Sequence, residues 1–252
     1  MVSVTTRINE VKQPRGGYIN PKAFIEVDMG DNDPLPLHDE NIHASLVGLA
    51  VDYLTRSILT HSPVKAFKIS LLGASLARES NRALKKAESV VDLSAKSIVN
   101  ACQLAGYDVV FRQAVPLPYP VEEIRPDTAT IAHIKTMTER SLVFFGKYGP
   151  VVEDGFTFDG GYTSTVDAGD GDFITADTLW DFKVSVKPPT NKHTLQLLMY
   201  YLMGLHSSHE NLHAIKRLGV FNPRLNKVYL LDVSTISLEI LRTVETDVIG
   251  YR

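Results

Sequence analysis

A single cysteine, Cys102, is the whole thiol content of this 252-residue chain. One thiol cannot close an internal disulfide, which points to a reducing cytoplasm. It also excludes a four-cysteine iron–sulfur cluster. No stretch approaches the ~18 continuous apolar residues of a membrane span, so no membrane association is expected. The opening MVSVTTRINEVKQPRGG lacks the apolar core of a signal peptide. No GxxxxGK[ST] loop is present, which excludes a P-loop motor. Neither charge dominates: 26 basic against 29 acidic residues give a net charge of −3. Any nucleic-acid partner must therefore be held by a local basic patch. There are no internal repeats and no low-complexity tract. What remains is an ordinary globular composition, 44% hydrophobic and 22% charged. A chain of this length buries about 70% of its surface and needs no covalent staples.

The patterning divides the chain into three parts. Residues 1–38 are rich in turn formers and read as an irregular lead-in with one short strand at AFIEV. Residues 39–126 read as a helical region packed on a core. A first helix is expected from Asp39, acting as N-cap, to Leu59, apolar nearly all round. A second helical region follows over 66–105, broken near Val91-Asp92, and VVFRQAVPLPYP reads as a strand or extended segment. Residues 127–252 read as the core: a helix capped by Asp127, strands at PVVEDGFTF, GDFIT and TLWDFKVS, and a helix from Asn191 capped by Thr190. A hairpin around Asn222–Asn226 and a helix over 235–249 complete it. The fold class expected is α/β (α+β), with a helical N-terminal half.

The most informative stretch is GDGDFITADTLWDFKVSVKPPTNKHTLQLLMY, residues 169–200. Side chains alternate along a strand, so Asp181 and Lys183 share a face. If GDFIT and TLWDFKVS form a hairpin about Ala176-Asp177, Asp172 lies beside them. Two carboxylates converging with a lysine on a half-buried face call for a reason, since charges are seldom buried without partners. Divalent-metal chemistry on phosphate supplies one: hard oxygen ligands hold Mg²⁺, and a lysine steadies a water or phosphate oxygen. The plain alternative is a structural ion-pair network. Gln196 and Tyr200, four apart, are neighbours on one helix face.

These residues resemble the PD-(D/E)xK nuclease superfamily, in its RecB-like and lambda-exonuclease-like branch. The resemblance covers roughly residues 148–232. It rests on Glu153 on a leading strand, Gly169-Asp170-Gly171-Asp172, Asp181-Phe182-Lys183 and the Gln-x-x-x-Tyr pair Gln196 and Tyr200. It implies a restriction-endonuclease-like mixed β-sheet flanked by helices, and an Mg²⁺- or Mn²⁺-dependent deoxyribonuclease acting as exonuclease or endonuclease. One or two ions would be held by Asp172, Asp181 and the Phe182 backbone carbonyl, with Glu153 a further candidate. Lys183 would act on the attacking water, and Gln196 and Tyr200 would steady the site and the DNA backbone. Lys187 and Lys192 flank the motif and are candidates to neutralise phosphates. The family often has histidine four residues after an early-helix glycine; here Gly48 is followed by Asp52, a candidate metal ligand whose plain reading is an ion pair with Arg56. DNA, double- or single-stranded, is the partner implied, and a homo-oligomer or a helicase or recombination partner stays open. Repair, recombination and processing of foreign or mobile DNA are the settings implied.

Three readings compete with this one. Arg78, Arg82 and Lys85 form a basic helical stripe that could track a nucleic-acid backbone, or simply a solvated face beside Glu79 and Glu88. His209-Glu210-Asn211-Leu212-His213 fits the HExxH zinc-metalloprotease pattern. Its setting between a helix and a strand reads instead as a polar loop. A catalytically inactive member of the superfamily, binding DNA or a partner, is the remaining alternative.

Overall fold

The computed structural model describes residues 2–31 and 33–252. By contact density these fall into two groups, one made of the chain up to residue 31 with Phe144–Arg252, the other of Asp33–Val143. The grouping draws its line inside a helix at residue 143, rather than at 126, and puts the lead-in with the C-terminal core.

The first group is built on a six-stranded mixed sheet in the order β1-β6-β5-β4-β3-β2. Its strands are β1 (Ile25–Asp28), β2 (Val151–Phe156), β3 (Gly171–Thr175), β4 (Thr178–Phe182), β5 (Arg217–Asn222) and β6 (Lys227–Asp232). The expected hairpin about Ala176-Asp177 is present: β3 and β4 pair antiparallel with Phe173 opposite Trp180. β4 and β5 run parallel, with Asp181 opposite Val220. A parallel pair needs a crossover, and α9 (Asn191–His206) supplies it.

Alternation sorts the side chains of β3 and β4 onto two faces. Ile174 and Leu179 join Leu195, Leu198, Met199 and Leu202 of α9 in one apolar cluster. Phe173, Trp180, Phe221 and Val228 face the other way, onto Phe144 and Phe145. Phe144 stacks on Phe221 with centroids 4.1 Å apart and meets the Trp180 ring edge-on at 4.8 Å. Trp180 satisfies its indole N–H by donating to Thr175 Oγ1 at 2.8 Å.

The lead-in is more ordered than its turn formers suggest. α1 (Val4–Glu10) is capped by Ser3, and Val4 and Ile8 enter the cluster under α9. β1 adds to β6 through the expected AFIEV segment. The C-terminal helix ends where expected and starts three residues later: α11 (Leu238–Thr243) follows Ser237 and continues as a π-helix over Val244–Ile249. Burial of Val244, Val248 and Ile249 selects that π-helix, and Arg7 Nε donates to the Val248 carbonyl at 2.8 Å.

The second group is helical. It holds α2 (Ala44–Thr60), α3 (Pro63–Ala66), α4 (Lys68–Leu76), α5 (Ser80–Glu88), α6 (Ala95–Ala105), α7 (Asp108–Gln113) and most of α8 (Thr128–Tyr148). Asp39 does not cap α2. It ends a 3₁₀ turn, and His43 is the cap, accepting from Ser45 N–H. The break near Val91-Asp92 is present, with a second at Arg78, whose φ of 62° ends α4's run. The segment expected as a strand is α7. Asp108 is buried there and accepts from Tyr53 and Ser70 hydroxyls, a tertiary anchor that overrides the β preference of Val109 and Val110. Asp127 caps α8 as expected, accepting from Thr130 N–H at 2.8 Å. Among the described residues, no helix is long and apolar enough to cross a membrane.

Candidate active site

The β3–β4 hairpin brings Asp172 and Asp181 together. One residue beyond the Phe173–Trp180 pair, the register sets them opposite each other, on the face that carries α9. Asp172 Oδ2 accepts from the Phe182 backbone N–H at 2.8 Å, which fastens the acid to the neighbouring strand. Asp181 is 1% exposed; its Oδ1 lies 3.0 Å from Lys183 Nζ, and its Oδ2 has no hydrogen-bond donor among the described residues. Burial pushes the Asp181 carboxyl up to about 6; Lys183 opposes this shift and Asp172 adds to it. Burial alone would discharge Lys183, yet the two carboxylates outweigh it and raise its pKa, so the ammonium persists.

From Lys183 a chain of contacts runs onto α9. Lys183 Nζ donates to Gln196 Oε1 at 3.2 Å, and Gln196 Nε2 donates to Tyr200 Oη at 2.9 Å. Tyr200 is buried and stacks on Phe158 at 4.9 Å, and burial raises its phenol pKa. The Gln-x-x-x-Tyr pair thus holds the lysine from behind. Beyond β4, the buried Asn222 donates to the Ser185 carbonyl at 2.7 Å and fixes the exit of the Asp-Phe-Lys strand.

Glu153 shares the sheet face but stands opposite Ile174, while the register puts Gly155 across from Asp172. Its oxygens face Asn211 Nδ2 at 3.1 Å and His209 Nδ1 at 3.5 Å. Lys187 is exposed, and Lys192 donates to Asn9 Oδ1 at 2.7 Å. The other candidates lie in the helical group. Asp52 Oδ1 is 2.8 Å from Arg56 Nε, the ion pair of the plain reading. Arg82 pairs with Glu79 at 3.3 Å and Glu122 at 3.5 Å, while Arg78 and Lys85 are exposed.

The HExxH segment is not a loop but a single turn, α10 (Glu210–His213), with His209 as its cap. Its two imidazoles take different partners: His209 turns to Glu153, and His213 Nε2 lies 3.1 Å from the Ser207 carbonyl. Among the described residues, no three His, Cys, Asp or Glu side chains gather as a ready metal cage. A cation on the hairpin would therefore rest on two carboxylates and a backbone carbonyl. The buried carboxylate of Asp181 suits that role, since a hard cation satisfies the oxygen that Lys183 does not reach.

Two features went unread in the sequence. His193, three residues before Gln196, is partly buried on the same helix face, and its one signal was that spacing. Gly16 and Gly17, with φ of 92° and 85°, turn the lead-in against the start of α9; a Cβ on Gly17 would lie 2.7 Å from Asn191 Cβ. The chain matches no family model, no curated protein and no solved structure.

Proposed function

We propose that the chain is a metal-dependent nuclease that hydrolyses DNA phosphodiester bonds through a restriction-endonuclease-like, PD-(D/E)xK arrangement on its mixed sheet. The observation that supports this best is Asp181, a buried carboxylate whose charge is met only by the Lys183 ammonium, 3.0 Å from Oδ1, and which lies across from Asp172. A structural ion pair alone leaves the carboxylate undersatisfied at a cost. A Mg²⁺ or Mn²⁺ ion offsets that cost and, when bound, supplies Lewis-acid polarisation of the scissile phosphate.

Asp172, Asp181 and the Phe182 carbonyl hold the ion. Lys183 orients the attacking water and offsets the charge that builds on the phosphate. Gln196 and Tyr200 hold Lys183 in line, and Lys187 and Lys192 draw the neighbouring phosphates. The reading carries with it a cytoplasmic setting and a role in repair, recombination or processing of foreign DNA.

One observation favours a second reading, a DNA- or partner-binding protein without catalysis: among the described residues, no third acid joins the two aspartates in a cage. Linear, circular and single-stranded DNA, incubated with Mg²⁺, Mn²⁺ or EDTA, separates the two. Metal-dependent cleavage by the wild type, reduced at least about 100-fold in Asp181→Ala and Lys183→Ala, is expected of the nuclease. Binding without cleavage in any metal would select the second reading.

A further inference from the structure

We infer that His193 is a substrate-positioning residue of this site, whose Nε2–H donates to a phosphate oxygen of the DNA backbone. The inference rests on the nuclease reading above and extends it to a residue that is not among the motif residues of the resemblance.

Its basis is geometric. His193, Gln196 and Tyr200 fall at i, i+3 and i+7 on α9, so they form one stripe along the face that meets Lys183. Gln196 in that stripe accepts from Lys183. The Nδ1 atom of His193 is already used: it accepts from the Thr190 backbone N–H at 3.2 Å, closing the capping box at the start of the helix. An imidazole that accepts at Nδ1 carries its proton on Nε2, so the remaining ring nitrogen is a fixed donor. The residue is partly buried and keeps some solvent exposure. Burial and the neighbouring Lys183 ammonium push its pKa down to about 4, so the ring is neutral over the working range. A neutral donor beside a lysine adds a hydrogen bond for a phosphate without adding repulsion between cations. It sits on the first turn of a 16-residue helix, where the dipole also favours an anion.

The alternative is that His193 only caps the helix. The side chains that close a capping box most often are Glu and Gln, so both substitutions preserve that role. His193→Glu keeps the cap but presents a carboxylate to the phosphate. His193→Gln keeps the cap and an amide that can still donate. Thermal melting checks that both variants fold as the wild type does. Steady-state cleavage of a labelled linear duplex in Mg²⁺ is then measured. The expected result is KM raised about tenfold or more in His193→Glu with kcat changed much less, and an intermediate KM in His193→Gln. A wild-type KM in His193→Glu overturns the inference while leaving the nuclease reading intact. If the wild type does not cleave, duplex binding is measured in Ca²⁺ or EDTA. Weaker binding by His193→Glu then upholds the phosphate contact without hydrolysis, and equal binding, or none by the wild type, overturns it.

Discussion

Asp181 is a buried charge with only the Lys183 ion pair in return. Its pKa is raised in the folded state to about 6, so folding favours the protonated form. That contribution is fully present below the unfolded value near 4 and is lost as pH rises through about 6. In EDTA, the stability of the wild type relative to Asp181→Asn should therefore fall between pH 4 and pH 7. Urea unfolding at steps across that range measures it, and a flat difference would deny the burial effect. Added Mg²⁺ should reverse the trend at pH 7 by stabilising the ionised carboxylate. Tyr200 makes a second test at this scale. Tyr200→Phe removes the oxygen that accepts from Gln196, so Lys183 loses its backing. Cleavage should fall about tenfold at saturating DNA with KM little changed, as outer contacts that orient an active group behave.

Among the elements, the β3–β4–β5 unit depends on two glycines that leave room for rings. A Cβ on Gly219 would lie 2.3 Å from the Trp180 ring, and one on Gly171 would lie 2.2 Å from the Phe156 ring. Gly219→Ala and Gly171→Ala should each destabilise by about 1–3 kcal/mol, the usual cost of overpacking. Denaturant midpoints measure the loss. Gly171→Ala should also disturb cleavage, because the residue adjoins Asp172. Element existence in the core could be read from periodicity: β2 to β4, α9 and the final hairpin are close to their expected bounds. Helix starts were legible where a capping side chain stood first, as at Asp127 and Thr190. α7 was not legible, since Val109 and Val110 prefer a strand. What overrides them is Asp108, held by Tyr53 55 residues away and Ser70 38 residues away.

For the molecule as a whole, Cys102 and the net charge each give a test. Cys102 is buried on α6, and burial pushes its thiol up to about 12. The native protein should resist alkylation at pH 8 and react fully in denaturant, so the labelling rate reports opening of the helical group. A net charge of −3 gives no general attraction to DNA. Binding should therefore weaken with salt only as far as local contacts dictate. Lys187→Ala should reduce the slope of log affinity against log salt by about one. An unchanged slope would remove Lys187 from the interface.

The sequence by itself determined the composition class, the sheet-forming strands and the acidic hairpin, because alternation and turn residues act locally. It also placed Gln196 and Tyr200 on one face, since helical spacing is a property of the backbone. It could not show that Asp181 is buried with only Lys183 to meet its charge, or that Gln196 bonds Lys183. Nor could it show that Glu153 turns to His209 and Asn211, or that the strand of the lead-in pairs with β6 and Gly17 packs on α9. Those facts depend on which distant segments meet, and only packing decides that. The desolvation that raises the Asp181 pKa has no value until the fold has removed water from around it.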